Sequence, residues 1–358
     1  MTECVGHKKP ERSNSGNYRN GTRPKKVGST YGKVEIDVPK DRNGAFLPKV
    51  VPNRQKDIGA IDSKIASLYA RGLATREISD RIREIYGFEC SEGFISDVIN
   101  KIYNDIVAWQ TGPLGEVHPV VFTDAAHFPA RGNGIVQKLA DYAVVGVAVE
   151  GRKDVPGLHI GENESAKYWL QVLNDLKNRG VRDIMVICAD GLSGIGEAIS
   201  SAFPKADHQR CIVHTVRNTL AFVPYKDREP FAADLVTAYL APTEEAALHA
   251  LDAVTEKWKG KHPCAMNRWH DSRDAVSPMF KFSMATGKIT YTTRIVESLN
   301  GTYKKLNRKR TVFPDRRPLL KALFLATNIV PRKWTRPIAN WFQPIGEFQT
   351  IHGDRFPK

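Results

Sequence analysis

Three acidic residues stand where phosphate chemistry could use them. Asp124 follows the run Val120-Val121-Phe122-Thr123, and Asp190 follows the apolar run Ile184–Ala189. Each carboxylate closes a predicted core strand, and α/β sheets commonly place ligands at the carboxyl ends of their strands. An anion beside such apolar strands is costly unless a cation compensates it. Taken singly, either aspartate reads as a turn or a helix cap. As a pair they point to a metal site, because Mg²⁺ prefers hard oxygen ligands and is held by a few carboxylates plus substrate phosphate. The third candidate is Glu297, inside Tyr291-Thr292-Thr293-Arg294-Ile295-Val296-Glu297-Ser298-Leu299-Asn300. At helical spacing Arg294, Glu297, Asn300, Gly301 and Lys304 share one face. That face offers a carboxylate for metal beside polar and basic groups for a phosphate backbone. The run Lys304-Lys305-Leu306-Asn307-Arg308-Lys309-Arg310 continues it. A solvated helix with a charge cluster fits the same pattern equally well.

The elements that must position these acids change in type along the chain. Residues 1–30 are polar, basic and without periodicity, and are expected to form a flexible arm. Lys33–Val38 alternates polar and apolar as a half-buried strand does. From Ile61 to about Trp109 the period becomes helical. Ile61, Ile65, Leu68 and Tyr69 fall on one face, then Ile78, Ile82, Ile85 and Tyr86 after a Thr75 cap, then Phe94, Val98, Ile102 and Ile106 after a Ser91 cap. Three short helices with tight turns resemble a helix-turn-helix DNA reader, with Ser96, Asp97, Asn100 and Lys101 on its reading face. A plain helical bundle or a dimerisation module shares the pattern.

From Val117 the pattern turns to strands: Val117–Thr123, Tyr142–Val149 and a shorter one near Val155–Ile160, the last two joined by a hairpin connection at Gly151–Asp154. An amphipathic helix Ser165–Asn178, the strand Ile184–Ala189, a helix Ile195–Phe203 and a short strand near Cys211–Val213 follow. Strand, strand, strand, helix, strand, helix, strand is a mixed sheet flanked by helices, in the order of a ribonuclease H-like core. Helices are then predicted at Arg228–Leu240, Glu244–Trp258 and about Pro263–Phe280, with a last one from about Thr293 to Leu306. The expected division is an arm with a short strand over 1–58, a helix-turn-helix domain over 59–112, a catalytic core over 113–215 and 290–345, and a helical insertion over 216–289.

Charge sharpens the functional reading. The 358 residues carry 53 Lys and Arg against 39 acids, a net of +14. Residues 1–60 hold a net of +7 and residues 301–358 a net of +10, so the middle is slightly acidic at −3. Two basic ends around an acidic centre fit a polyanion gripped by the ends and a cation held in the middle. No stretch approaches the roughly 20 uninterrupted apolar residues that span a bilayer, and the N-terminus lacks the apolar run of a signal peptide. The expectation is a soluble, cytoplasmic protein. Cys4, Cys90, Cys188, Cys211 and Cys264 are odd in number, scattered and never at CxxC spacing. Reduced thiols fit better than a disulfide framework or a cysteine-rich zinc module.

Several strings, in order, resemble the Mutator-type transposase family of bacterial insertion sequences. They are Tyr18-Arg19-Asn20-Gly21, Val38-Pro39-Lys40-Asp41-Arg42, Gly161-Glu162-Asn163-Glu164-Ser165, Leu173–Gly180, Asp190-Gly191-Leu192, Gln209-Arg210-Cys211-Ile212-Val213-His214, and Tyr291-Thr292-Thr293 with Glu297-Ser298-Leu299-Asn300. The resemblance runs from about residue 15 to Gly353-Asp354-Arg355. It implies a three-carboxylate DNA transposase on a ribonuclease H-like fold, with a helical insertion before the glutamate. Asp124, Asp190 and Glu297 then inherit the catalytic and metal-binding roles for two Mg²⁺ ions, for which Mn²⁺ can substitute. Cys211 and His214 occupy the family's Cys-x-x-His motif and are read as support for the core, since two ligands do not make a zinc site. Arg294, Asn300, Lys304, Lys305, Arg308, Lys309 and Arg310 are the expected DNA contacts. The implied partners are double-stranded DNA, as terminal inverted repeats and target, and further copies of the chain in a dimer or larger assembly at the bacterial nucleoid. Family members typically carry a further helical segment ahead of the position of residue 1. Two departures stand out: Arg294-Ile295-Val296 where the family usually has Asn-Ala-Ile, and Ala126 where Leu commonly follows the first Asp-Ala. They motivate a second reading, a DNA-binding repressor without catalysis. A housekeeping nuclease is a third.

Overall fold

A computed structural model describes residues 16–29, 32–46, 59–86, 90–132, 134–161, 165–191, 194–290, 294–328, 334 and 336–356. The chain divides into two compact units. One contains residues 1–109 and 305–326, the other residues 110–304 and 327–358.

The larger unit is built on five strands: β3 (Val117–Gly132), β4 (Ile135–Val147), β5 (Lys153–Gly161), β6 (Asp183–Ala189) and β7 (Asp207–Arg210). Their order across the sheet is β5-β4-β3-β6-β7, with β3, β4 and β5 antiparallel and β3, β6 and β7 parallel. This mixed sheet fits a ribonuclease H-like fold. Short connections make the antiparallel half, and helices make the parallel crossovers. The register matters for chemistry. Thr123 on β3 pairs with Ala189 on β6, so the next residue on each strand is Asp124 and Asp190.

Helices α4 (Ala166–Asn178) and α5 (Ile195–Ala202) cover the sheet through Trp169, Val172, Leu173, Leu176, Ile195 and Ile199, all at most 2% exposed. Ser165 caps α4 by accepting from the Tyr168 amide at 3.3 Å. Trp169 meets Tyr142 edge-on at 4.8 Å. Gly194, at φ +75°, presses against the start of α4, where an added Cβ would stand 2.5 Å from the Ala166 nitrogen. Only glycine fits there.

Differences from the sequence reading have local causes. β3 and β4 continue well past Asp124 as a long ribbon, because Phe128 and Ala130 stay buried while His127 and Arg131 face out. Pro129 and the charged residues hide that alternation. The strand expected near Cys211–Val213 is instead β7 at Asp207–Arg210. Cys211 still donates its amide to Ala189 but then caps helix α6 (Ile212–Leu220). β-branched Ile212 and Val213 mimic a strand in sequence. Beyond it lie α7 (Tyr225–Tyr239), α8 (Glu244–Trp258) and α9 (Pro263–Val276). Their shared core holds Phe231, Leu235, Trp258 and Trp269. The single helix expected over Pro263–Phe280 breaks into a 3₁₀ turn at Ser277–Lys281, where Pro278 removes a backbone donor. Helices α10 (Met284–Thr290), α11 (Arg294–Lys309), α12 (Arg316–Thr327) and α13 (Phe342–His352) complete the chain. Of these, only α11 was expected.

In the smaller unit, β1 (Arg19–Ser29) and β2 (Gly32–Asp41) form an antiparallel hairpin. The expected flexible arm therefore fails over Arg19–Ser29, and residues 1–15 lie outside the described residues. β1 is so polar that Val27 is its one buried apolar side chain among the described residues, which left no period to read. Helices α1 (Gly59–Tyr69), α2 (Thr75–Tyr86) and α3 (Glu92–Thr111) bury Ile61, Ile65, Tyr69, Ile78, Ile82, Phe94, Val98, Ile102 and Ile106. Ser91 caps α3 through the Phe94 amide at 3.1 Å. Ile85 departs, at 63% exposed, because it follows Ile82 by only three positions at the edge of a narrow stripe. Thr75 is the first helical residue rather than the cap. The Ala74 amide is instead met by Glu77 at 2.7 Å. Lys321 donates to Asn100 at 2.6 Å, and Trp109 packs on Phe324. No described helix is long and apolar enough to cross a membrane.

Candidate active site

Asp124 and Asp190 emerge side by side because they follow paired residues on neighbouring parallel strands. Asp124 accepts the amide of Asn300, from α11, at 2.5 Å, and its other oxygen takes the Ala125 backbone amide. Asp190 caps its own loop through the Gly191 amide at 2.7 Å. Glu297 sits one turn before Asn300 on α11, so one helix face delivers both groups.

The acids are linked by one imidazole. His214 lies in the first turn of α6, with Nδ1 3.6 Å from Asp190 Oδ2 and Nε2 3.3 Å from Glu297 Oε1. Arg217, one turn further on, stands 3.7 Å from the same Glu297 oxygen and is 62% exposed. Cys211 at the helix cap is fully buried, and its thiol is hydrogen-bonded to His214. That explains the Cys-x-x-His spacing: a buried residue at the cap holds an imidazole one turn away. The thiol contact is the main cause raising the His214 pKa to about 8, and Asp190 and Asp124 add to it against desolvation. Asp124 is pushed up, first by burial and then by Asp190, while His214 and Asn300 pull it down. The site is therefore a cluster of like charges with an imidazolium among them.

Sequence reasoning missed a fourth acid. Asp141 on β4 lies opposite Ala126 and is 0% exposed, with neither carboxylate oxygen hydrogen-bonded among the described residues. Burial, then the charge of Asp124, pushes it well above the usual carboxylate range. Its signal was legible: a single acid inside Leu139-Ala140-Asp141-Tyr142-Ala143-Val144. Arg217 was also missed, and nothing in its sequence context marks it.

The expected DNA contacts divide. Lys304, Lys305, Arg308 and Lys309 are exposed on α11. Asn300 is 2% exposed and serves Asp124, so it is no surface contact. Arg310 is occupied within its own unit, donating to the Leu73 carbonyl at 2.6 Å with its guanidinium over the Tyr69 ring. Both side chains thus have partners within the fold. The side chain of Arg294 lies outside the described residues, as do Tyr291-Thr292-Thr293.

Three carboxylates are the hard oxygen donors that Mg²⁺ takes, so the donor chemistry fits such an ion. Among the described residues, no group of three or more His, Cys, Asp or Glu is gathered closely enough to hold a metal as placed. His214 lies between two of the acids. The described cysteines, Cys90, Cys188, Cys211 and Cys264, are not joined in disulfides.

Comparison with known proteins agrees along the length of the chain. Residues 1–337 match the family described as "Transposase, Mutator family". The chain is 38% identical over 357 residues to a probable transposase for insertion sequence element ISRM3-like of Sinorhizobium fredii, covering 99% of this chain and 89% of that protein. It matches the transposase for insertion sequence element ISRM3 of Rhizobium meliloti to the same extent. The transposase for insertion sequence element IS905 of Lactococcus lactis is 32% identical over 310 residues, covering 87% of this chain and 79% of that protein.

Proposed function

The chain belongs to the Mutator family of transposases, and from that premise we propose that it cuts and rejoins DNA at the terminal inverted repeats of an insertion sequence by metal-dependent phosphoryl transfer. Asp124, Asp190 and Glu297 are the residues that would hold Mg²⁺. The observation that carries this reading is the meeting of Asp190 and Glu297, 107 positions apart in the chain, on the single imidazole of His214, with Asp124 electrostatically coupled to both aspartate and imidazole.

Bound divalent ions would supply an activated water or DNA 3′-hydroxyl and stabilise the leaving oxygen. The chain's own groups do the rest. Asn300 fixes the Asp124 carboxylate through a short charge-assisted hydrogen bond. Cys211 holds His214, whose positive charge offsets the crowded acids and attracts phosphate. Arg217 is exposed at the rim for a backbone contact. Lys304, Lys305, Arg308 and Lys309 offer phosphate contacts that position a duplex without reading its sequence. No protein nucleophile is required. The partners are element ends and target DNA, and joining two ends calls for at least two copies of the chain.

The test is Asp190→Asn on duplexes copied from the repeats that flank the coding sequence. Strand cleavage with Mg²⁺ should vanish while end binding persists, and full cleavage by the variant would sink the assignment. A second reading, DNA binding without catalysis, draws on Arg294-Ile295-Val296 standing where the family usually has Asn-Ala-Ile. It gains if the wild-type chain binds ends yet cleaves nothing with Mg²⁺ or Mn²⁺.

A further inference from the structure

We propose that the surface leading away from His214 along α6 is a track for one DNA strand, on which Phe222 and Tyr225 stack bases left unpaired beside the scissile phosphate. The inference rests on the transposase reading above and adds a substrate state to it: the DNA is melted for a few nucleotides at the cut.

Geometry starts with helical spacing. His214, Arg217, Asn218 and Phe222 stand at i, i+3, i+4 and i+8, one side of a helix. The turn continues past the end of α6: Ala221 keeps helical angles at φ −63° and ψ −25°, and the Phe222 amide donates to Thr219 at 3.0 Å. Eight residues of helix place Phe222 about 12 Å from His214 along the axis. At roughly 3.4 Å per nucleotide of one strand, that is three to four nucleotides from the acids.

The chemistry of the stripe selects its occupant. Phe222 is 50% exposed and Tyr225 is 88% exposed, three positions apart in the chain across the non-helical link at Val223-Pro224 that joins α6 to α7. Leaving two large rings in water forgoes the stabilisation that burial would bring. The Arg268 guanidinium stands 5.5 Å from the centre of the Phe222 ring, which orients the ring and adds positive charge. Arg217, Lys226 and Arg228 are exposed nearby, and Asp227 is engaged with His262 at 3.1 Å. Exposed rings interleaved with basic side chains are what single strands use, because every base has a face to stack and the backbone needs cations. A paired duplex hides those faces. The track is also continuous with the acids, since Arg217 reaches Glu297 at 3.7 Å.

The experiment uses the full chain and repeat-end duplexes carrying 5-iodouracil at single positions in the last six nucleotides, irradiated without divalent cation. Cross-links should map to Phe222 or Tyr225 from positions about three to four nucleotides from the cut. The F222A/Y225A chain should lose them, keep end binding within about threefold, and cleave about tenfold more slowly. F222W should restore the rate and F222L should not, which separates stacking from mere bulk. Cross-links confined to other residues, wild-type cleavage by the double variant, equal rates for F222L and F222W, or a lowered melting temperature in F222A would each overturn the inference. If Asp190→Asn is inactive while F222A/Y225A cleaves normally, only this inference falls. If Asp190→Asn still cleaves, the catalytic assignment falls first.

Discussion

Two neighbouring regions of the larger unit are built on opposite principles. Beneath the strand ends, Trp169, Tyr142, Val172, Leu173, Ile184 and Ile187 form a dry apolar core with almost no exposed surface. At the carboxyl end of β6, Asp190 and Glu297 meet the imidazole of His214 with Arg217 at the rim, while Asp124 and Asp141 stand on the adjoining strands β3 and β4, where Asp124 feels the charge of Asp190 and Asp141 that of Asp124. The first arrangement lowers the free energy of the fold. The second raises it, through burial of carboxyl groups and repulsion between like charges. Strain of this kind persists at a site because the surrounding structure over-determines it. The contrast predicts that damage to the core unfolds the chain, whereas neutralising the acids leaves it folded but idle.

The largest effect should come from the core. Trp169→Ala removes a fully buried indole and its edge contact with Tyr142, and should cost about 3–5 kcal/mol in urea unfolding. A loss below about 1 kcal/mol would mean that the core relaxes freely. Asp124→Asn is the converse case. It should slow cleavage at least about a hundredfold, or about 2.7 kcal/mol of barrier, while the unfolding midpoint stays or rises. A clear fall in that midpoint would show the carboxylate to be a structural asset. Asp141→Val is a smaller test of the same contrast. Replacing an unpaired buried carboxyl with an apolar side chain of similar size should raise stability by about 1 kcal/mol near neutral pH. A loss instead would reveal a required partner, with Tyr303 the first candidate because its hydroxyl feels the Asp141 charge.

The same contrast accounts for what was legible in the sequence. Uninterrupted apolar strands and a capped amphipathic helix follow from local physics, so Ile184–Ala189 and Ser165–Asn178 were readable nearly to the residue. The two aspartates stood out for the same reason, since each follows such an apolar run, although only Asp190 closes its strand and Asp124 lies within the longer β3. Glu297 was not fixed by spacing alone, because a helix face with a glutamate and lysines has many uses. What singled it out was its likeness to a family. Long-range contacts left no trace at all. Asn300 looked like a surface amide until it was found against Asp124, 176 positions away. Arg310 looked like a phosphate contact and instead serves Leu73 and Tyr69. In both, a long-range tertiary partner gives the side chain a role that its type alone does not show.

The finest test of the contrast is its pH dependence in the absence of metal. His214 has a folded pKa raised to about 8 from 6.5, so the folded chain binds its proton more tightly than the unfolded chain. The stabilisation is fully present below pH 6.5 and is lost as pH rises through about 8. The raised values of Asp124 and Asp141 act in the same direction, because a carboxyl that prefers its proton when folded also loses stability on ionising. Unfolding free energy measured in chelator should therefore decline between pH 6.5 and 8. His214→Gln should make that segment shallower while leaving the share of the buried carboxyls in place. The apolar core contains no group that titrates there, so Ile187→Val should shift the whole curve down without changing its slope. If His214→Gln leaves the decline between pH 6.5 and 8 intact, the imidazole is not the charge that offsets the acids, and another cation must hold that place.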